Sequence, residues 1–194
     1  MKIIEIFSSI QGEGCNAGKA AFFIRLAGCN NACPFCDTKE SWKNTGKEMT
    51  VEEIIAIIPQ KIENVVITGG EPLLHNLEDI CEKLRQIGKK IWLETSGTEK
   101  LSGKFDWICL SPKKHCTPLP EIYEVSNELK IIIEDESDFH YVETEARKVA
   151  SHCRLVLQPE WSRMAKITPK MMDYILQNPQ WQLSLQTHKV LNVK

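Results

Sequence analysis

Seven short apolar runs recur along the chain, and helical patterns separate many of them. Several of these runs are apolar without alternation, which is typical of parallel strands covered on both faces. Strands that alternate with helices predict an α/β domain with a mainly parallel sheet. The predicted strands are Ala20–Ala27, Asn64–Thr68, Lys90–Glu94, Trp107–Leu110, Leu129–Ile133, Arg154–Gln158 and Gln182–Gln186.

Four helices are predicted between these strands, each from a start signal or an apolar stripe. The run Thr50–Glu53 has the pattern of a capping box at the start of the first helix. Asn76 is expected to cap the second helix, and Gly88 is expected to close it. An apolar stripe over residues 139–150 marks the third. Thr168-Pro169 is expected to open the fourth, with the proline at the first helical position.

The length of the chain limits the architecture. Eight strand–helix units of a closed barrel typically need about 250 residues, and the chain has 194. We therefore predict an incomplete (β/α)6-type barrel, a partial TIM barrel of mainly parallel strands, as a single domain over residues 1–194. A doubly wound open sheet is the alternative. In both architectures the active site lies at the carboxyl ends of the strands.

Composition excludes several classes of function. Hydrophobic residues make up 42% and charged residues 26%, which is ordinary for a soluble globular protein. A net charge of −2 gives no electrostatic reason to expect a nucleic acid or a membrane as partner. We find no signal peptide and no apolar stretch long enough to span a bilayer. The eight cysteines are therefore expected in a reducing, cytoplasmic compartment, where clustered cysteines more often hold metal than form disulfides.

Three cysteines follow the first predicted strand at C-x3-C-x2-C spacing: Cys29, Cys33 and Cys36. They supply three thiolates where a metal site normally has four ligands. Zinc loops usually pair two C-x2-C units, and the chain has no second pair. An iron–sulfur cluster with one open iron is therefore favoured over zinc. Cys15 or Cys116 is the less favoured fourth ligand, because both are distant in sequence.

Other predicted strands also end in polar or glycine-rich segments. Val65–Thr68 runs into Gly69–Pro72, whose two glycines allow close backbone approach. Glu94–Thr98, Ser111–Lys113 and Gln158-Pro159 follow three further strands. Each segment alone has an ordinary turn composition. Four such segments on one rim predict a site for a nucleotide-like cofactor.

The cysteine loop with Phe35 before its third cysteine, together with Gly69–Pro72, resembles the radical S-adenosylmethionine (SAM) superfamily. Its 4Fe–4S cluster binds the amino and carboxylate groups of SAM at the open iron. A narrower resemblance lies in Phe7–Gly14, in Cys36–Thr38 and in Ser184–Lys189. These three segments are similar to those of the 7-carboxy-7-deazaguanine synthase family, and the likeness covers nearly the full chain.

This family resemblance implies a reaction. Its members rearrange 6-carboxy-5,6,7,8-tetrahydropterin to 7-carboxy-7-deazaguanine and release ammonia, in the biosynthesis of queuosine and other 7-deazapurines. The cluster donates one electron to SAM, and the resulting 5′-deoxyadenosyl radical abstracts hydrogen from C6 of the substrate. SAM is regenerated and acts as a cofactor. The resemblance also implies a homodimer and an electron donor such as flavodoxin or ferredoxin.

The resemblance also implies roles for individual residues. Cys29, Cys33 and Cys36 hold the cluster, and Thr38 binds Mg²⁺ together with substrate and water oxygens. The expected contacts of SAM are Phe35, Cys36, Asp37, Gly70, Glu71, Ser111, Pro112 and Lys113, with Glu94, Ser96 and Gln158 added from the polar strand ends. The expected contacts of the substrate are Ile10, Gln11, Gly12, Glu13, Arg25, Thr68 and His188.

Arg25 also stands out without the resemblance, because it lies inside an apolar strand. A guanidinium pairs bidentately with a carboxylate, and the predicted substrate carries one.

Two alternatives remain at this point. A glycyl-radical activating enzyme shares the cluster loop but acts on a protein, and its pattern requires neither the Gln11–Gly14 run nor the Gln186–Lys189 run. A non-enzymatic zinc-binding module built on Cys29–Cys36 is the second alternative.

Overall fold

A single sheet of nine strands organises the protein, whose computed structural model describes all 194 residues. The strands are β1 (Lys2–Ile10), β2 (Ala20–Leu26), β3 (Lys47–Glu48), β4 (Asn64–Gly69), β5 (Lys90–Thr95), β6 (Trp107–Leu110), β7 (Glu128–Ile133), β8 (Arg154–Pro159) and β9 (Trp181–Leu183). Their order is β3-β1-β2-β4-β5-β6-β7-β8-β9. All neighbours from β2 onward are parallel, whereas β1 is antiparallel to both β2 and β3. The predicted incomplete barrel of mainly parallel strands is confirmed.

The sequence did not predict β1 or β3. β1 lacks an apolar run, since Lys2, Glu5 and two serines interrupt it. β1 pairs antiparallel with β2, the next strand of the chain. β9 is also shorter than expected, because the chain leaves the sheet after Leu183.

Five helices lie between strands, and a sixth follows the last strand. They are α1 (Val51–Ala56), α2 (Glu78–Gln86), α3 (Pro120–Val125), α4 (Asp138–Ala146), α5 (Met164–Gln177) and α6 (Thr187–Val190). The capping box of Thr50 and Glu53 is confirmed at the start of α1. The Asn76 side chain accepts the backbone N–H of Glu78 at 2.9 Å, and Gly88 adopts a φ of +74° after α2. No helix is both long enough and apolar enough to cross a membrane.

The predicted start of α5 at Thr168-Pro169 is wrong, because Pro169 lies inside the helix. The Glu160 carboxylate accepts the backbone N–H groups of Ser162 and Arg163, each at 3.1 Å. This cap starts the helical turn earlier in the chain. The proline then removes one backbone hydrogen bond from α5 without ending it.

The two faces of the sheet have different roles. On β2, Ile24 and Leu26 pack beneath the helices in the main core of 27 buried residues. Alternate residues point to the inner face, where Ala21, Phe23 and Val66 join Trp92 in a small second cluster. Further along the same strands the inner face becomes polar. The predicted apolar runs therefore combine a core face with a face that forms the base of a cavity.

Lys89 is a buried structural lysine at the opposite end of the sheet. Its Nζ donates to the carbonyl oxygens of Pro59, Gln60 and Ile62 at 3.0, 2.9 and 2.6 Å. We expect Lys89→Met to lower the free energy of unfolding by about 2 kcal/mol, because three partly buried carbonyls lose their donor. Denaturant unfolding measures this, with the exposed Lys61→Met as control. Equal stability of both variants would contradict it.

Candidate functional site

A cavity of about 720 Å³ opens at the carboxyl ends of the parallel strands. Its volume lies within the range of about 300 to 1,000 Å³ that is usual for ligand sites. Nearly all predicted site residues line it: Ile10, Gln11, Gly12, Glu13, Arg25, Cys29, Cys33, Phe35, Cys36, Asp37, Thr38, Thr68, Gly70, Glu94, Ser96, Ser111, Lys113, Gln158 and His188. Glu71 and Pro112 do not line it.

The cysteine loop turns sharply between β2 and the wall of the cavity. Gly28 has a φ of +98° and Ala32 a φ of +46°, which turn the chain on both sides of Cys29. The backbone N–H of Cys36 donates to the carbonyl of Cys33 at 3.0 Å. All three cysteines are free thiols, and all three line the cavity. Cys29 and Cys36 are close enough to Cys33 that their charges add to the rise in its pKa.

Two glycines at the end of β4, Gly69 and Gly70, bring the next loop directly against the cysteine loop. A Cβ atom at Gly70 would lie 2.2 Å from the carbonyl oxygen of Gly28 and 2.6 Å from the Cβ of Cys29. A Cβ at Gly69 would lie 2.4 Å from the carbonyl oxygen of Leu26. Neither contact is sterically possible for another residue. This close contact allows the backbone N–H of Gly70 to donate to the carbonyl oxygen of Leu26 at 3.1 Å.

Glu71 lies behind the cavity wall and is almost fully buried. One carboxylate oxygen accepts the Thr95 hydroxyl at 2.6 Å and the Leu73 N–H at 3.1 Å. The other accepts the backbone N–H of Ser96 at 2.8 Å and also its hydroxyl. Glu71 thus joins the ends of β4 and β5. Its contact with a cofactor stays a prediction.

Lys130, on the inner face of β7, occupies the centre of the cavity wall. Its Nζ lies 2.7 Å from Glu13 Oε2 and 3.0 Å from Glu94 Oε2. The Gln11 side chain donates to the other oxygen of Glu94 at 2.9 Å. The Gln186 side chain donates to the other oxygen of Glu13 at 2.6 Å. Both predicted acidic residues are therefore paired within the chain.

The ionisation of these groups follows from their partners. Burial alone would raise the pKa of Glu13, but the adjacent Lys130 outweighs it and lowers that pKa to about 2. Burial raises the pKa of Glu128, which lies two residues before Lys130 on the same strand. Glu13 lines the cavity as a charged carboxylate, whereas Glu128 does not line the cavity and resists ionisation.

Arg25 lines the cavity from β2, as the substrate prediction requires. Its Nε donates to Glu5 Oε1 on β1 at 2.9 Å. Its carboxylate partner thus comes from the protein in this structure. The pair leaves the two terminal guanidinium nitrogens for a second carboxylate.

Thr38, predicted to bind Mg²⁺, lines the cavity and donates to Asp37 Oδ1 at 3.3 Å. Glu13, Asp37 and His188 bring possible ligand atoms within 4.8 Å of one another. Asp37 also pairs with Lys189 at 2.9 Å. Both carboxylates are thus already paired within the protein, and magnesium binding by the Thr38 hydroxyl stays a prediction.

The cysteine loop fits an iron–sulfur cluster with a bound SAM. Burial raises the pKa of the Cys33 thiol, so a bound metal must drive its deprotonation. Asn31 is buried in the same loop and its Oδ1 has no hydrogen-bond partner, which leaves an acceptor available for a ligand. Neither Cys15 nor Cys116 lines the cavity. Three thiolates and an open position therefore describe this site better than four protein ligands.

Sequence reasoning missed Lys130, Asn31, Gln186 and Lys189 as residues of the site. Lys130 carried a usable signal, because it is a lone cation within an apolar run, as Arg25 is. Gln186 and Lys189 stood in a segment that the sequence singled out without giving them roles. Asn31 had no signal beyond its place between two cysteines.

Comparisons with known proteins agree with this geometry. The sequence profile of the radical SAM superfamily matches residues 23–107. A 7-carboxy-7-deazaguanine synthase from Synechocystis is 48% identical over 99% of this chain and 93% of its own.

The chain belongs to the 7-carboxy-7-deazaguanine synthase family. Another member, from Flavobacterium psychrophilum, is 42% identical over all of this chain and 92% of its own. The crystal structure of QueE from Escherichia coli superimposes with a TM-score of 0.85 at 30% identity, covering 96% of this chain and 94% of that one. The predicted superfamily and family are confirmed. With them, the prediction of an enzyme that uses a 4Fe–4S cluster and SAM is confirmed.

Glu71 provides a test of the hydrogen bonds that hold this site of the 7-carboxy-7-deazaguanine synthase family together. We expect Glu71→Gln to lower the free energy of unfolding by about 3 kcal/mol, because an amide nitrogen would face buried donors. Thermal unfolding measures the loss, with the exposed Glu78→Gln as control. A stability equal to the control would show that the network can reorganise.

Proposed function

We propose that this chain converts 6-carboxy-5,6,7,8-tetrahydropterin to 7-carboxy-7-deazaguanine with release of ammonia, in the biosynthesis of queuosine or a related 7-deazapurine. One observation carries the proposal. The three thiols share a single cavity with the residues that resemble the substrate-binding positions of the family. A cluster, SAM and a bicyclic substrate can therefore meet in one enclosed space.

Cys29, Cys33 and Cys36 would hold the 4Fe–4S cluster. When bound, the cluster and SAM supply the radical that removes a hydrogen atom from the substrate. The protein holds the reactants close together and excludes competing reactions. The glycine contact at Gly70 and the Asn31 side chain, which donates to Ser96 at 2.7 Å, keep the loop in place.

The SAM contacts in this proposal surround the cysteine loop. Lys113 donates to Ser111 at 2.7 Å and lies 5.8 Å from the centre of the Phe35 ring, so these residues form one wall. Glu94 offers a carboxylate to the amino group of SAM. The remaining proposed contacts are Cys36, Asp37, Gly70, Glu71, Ser96, Pro112 and Gln158.

The proposed substrate contacts include Glu13, the second carboxylate that Lys130 contacts. Glu13 can accept the donors of the guanidine-like edge of the pterin. Arg25 faces the substrate carboxylate, and Glu5 holds its guanidinium in position. His188 packs against Gly12, where a Cβ atom would lie 2.1 Å from the imidazole Nδ1. Ile10, Gln11, Gly12 and Thr68 complete the proposed substrate contacts.

Thr38 would bind Mg²⁺ through its hydroxyl, with the substrate carboxylate and water as further oxygen ligands. We further propose a single domain, a homodimer, and flavodoxin or ferredoxin as electron donor. A cytoplasmic location fits these, because an iron–sulfur cluster and free thiols require a reducing compartment.

The decisive experiment supplies the anaerobically reconstituted protein with SAM, a reductant and 6-carboxytetrahydropterin. The proposal requires 7-carboxy-7-deazaguanine and ammonia as products. Deoxyadenosine without a deazaguanine product would reject the substrate and favour an activating enzyme. A colourless protein that takes up zinc but neither iron nor sulfide would reject the cluster.

The cluster ligands can be tested without turnover. We expect Cys36→Ser to reduce bound iron and sulfide strongly, because a serine hydroxyl is a poor replacement for a thiolate. Iron and sulfide analysis after reconstitution measures the loss. The matched control is Cys153→Ser, since Cys153 is buried away from the cavity. Iron content equal to the control would remove Cys36 from the ligand set.

Arg25 tests the substrate carboxylate contact. We expect Arg25→Lys to raise the dissociation constant of the pterin about tenfold or more, because an ammonium cannot form the bidentate pair. Binding of SAM should be unchanged. Equilibrium titrations measure both affinities, with exposed Arg147→Lys as control. A parallel loss of SAM affinity would indicate general damage to the cavity.

A further inference from the structure

Lys130 lines the cavity and contacts two of its carboxylates. Only 5% of the residue is exposed. Its Nζ contacts Glu13, which belongs to the segment after β1, and Glu94, which lies near the end of β5. These carboxylates come from distant parts of the chain, and one cation joins them.

The geometry gives each carboxylate a fixed direction. Glu13 has one oxygen on Lys130 and the other on the Gln186 amide. Glu94 has one oxygen on Lys130 and the other on the Gln11 amide. Two enclosed carboxylates repel each other, and without a cation they would tend to share a proton.

Glu128 shows the effect of lacking such a contact. Its carboxylate accepts the Cys15 backbone N–H at 3.1 Å and the Trp107 ring N–H at 3.2 Å, but forms no ion pair. Burial raises the pKa of Glu128, whereas that of Glu13 falls to about 2 beside Lys130. Lys130 also opposes the rise in the pKa of Glu128, but burial outweighs it there, and only Glu13 is in direct contact with the cation.

We propose that Lys130 is a positioning residue that keeps Glu13 charged toward the substrate and Glu94 charged toward SAM. This inference rests on the proposed function, which assigns one carboxylate to each ligand. A charged carboxylate accepts hydrogen bonds with both oxygens, whereas a protonated one must donate with one of them. Lys130 thus lets both ligands bind without displacing a proton.

Other charged and titratable groups face this cluster and are common to every variant below. They are Asp37 and His188 near Glu13, and Cys109, Lys113 and Glu128 near Lys130.

The test measures pterin binding to reconstituted protein without SAM, by calorimetry, between about pH 6 and about pH 9. The change of pterin affinity with pH in the wild type is the reference slope. In Lys130→Met, binding must first remove the proton that the two carboxylates share. Over this pH range, the affinity of the variant for the pterin should therefore rise by about tenfold or more beyond any rise seen in the wild type. Buffers of different ionisation enthalpy should reveal a released proton that is absent in the wild type.

Three further variants separate positioning from folding. Lys130→Arg keeps the cation and should restore the wild-type slope. Lys89→Met also loses a buried lysine, but at the far end of the sheet, and should leave the slope unchanged. If Lys130→Met does not fold, the double variant that also carries Glu94→Gln removes one of the two carboxylates that repel each other. In this double variant, Glu13 should still lose a proton when the pterin binds.

Two results would overturn different claims. The first is that Lys130→Met, or its double variant, binds the pterin more weakly by the same factor at every pH and releases no proton. Lys130 would then be purely structural. A wild-type protein that does not bind the pterin would instead reject the proposed function.

Discussion

The contact between the loop after β4 and the cysteine loop after β2 is the constraint on which the site depends. It joins backbone to backbone, and the missing Cβ atoms of Gly69 and Gly70 make it possible. Main-chain hydrogen bonds then tie the two loops together, and the Glu71 N–H donates to Gly28 at 2.8 Å. The Glu71 side chain extends the same connection to Ser96, directly after the next strand. The position of the three thiols is therefore set by the sheet itself.

The inner face of the sheet explains why charge collects at this point. Phe23, Val66 and Trp92 fill the base of the partial barrel with apolar surface. Arg25 and Lys130 point to the same side further along their strands, where they line the cavity and Lys130 is almost fully buried. Charged groups in such a place need partners, because an isolated buried charge is costly. The carboxylates of Glu5, Glu13 and Glu94 supply them within the protein before any ligand arrives.

Sequence predicted the parallel strands and the three thiols well, because both are local patterns. Apolar runs define the strands, and cysteine spacing is read within eight residues. The start of α5 was wrong because the cap at Glu160 outweighs the signal of Pro169. The ion pair of Lys130 with Glu13 could not be predicted either, because it joins residues that are far apart in sequence. Long-range pairing, rather than residue type, limits what sequence alone can predict.

The segment after β1 closes the open side of the barrel, and distant residues hold it there. Gly12 accepts the Thr187 N–H at 2.9 Å, and the Gly14 N–H donates to Ser184 at 2.8 Å. The backbone hydrogen bonds of the cysteine loop, by contrast, join residues that all lie between Lys2 and Glu71, although its side chains also reach Ser96 and Lys189. Because non-local contacts form slowly, we expect the metal-binding half of the site to assemble before its substrate-binding half. The two halves of one cavity then belong to different stages of folding.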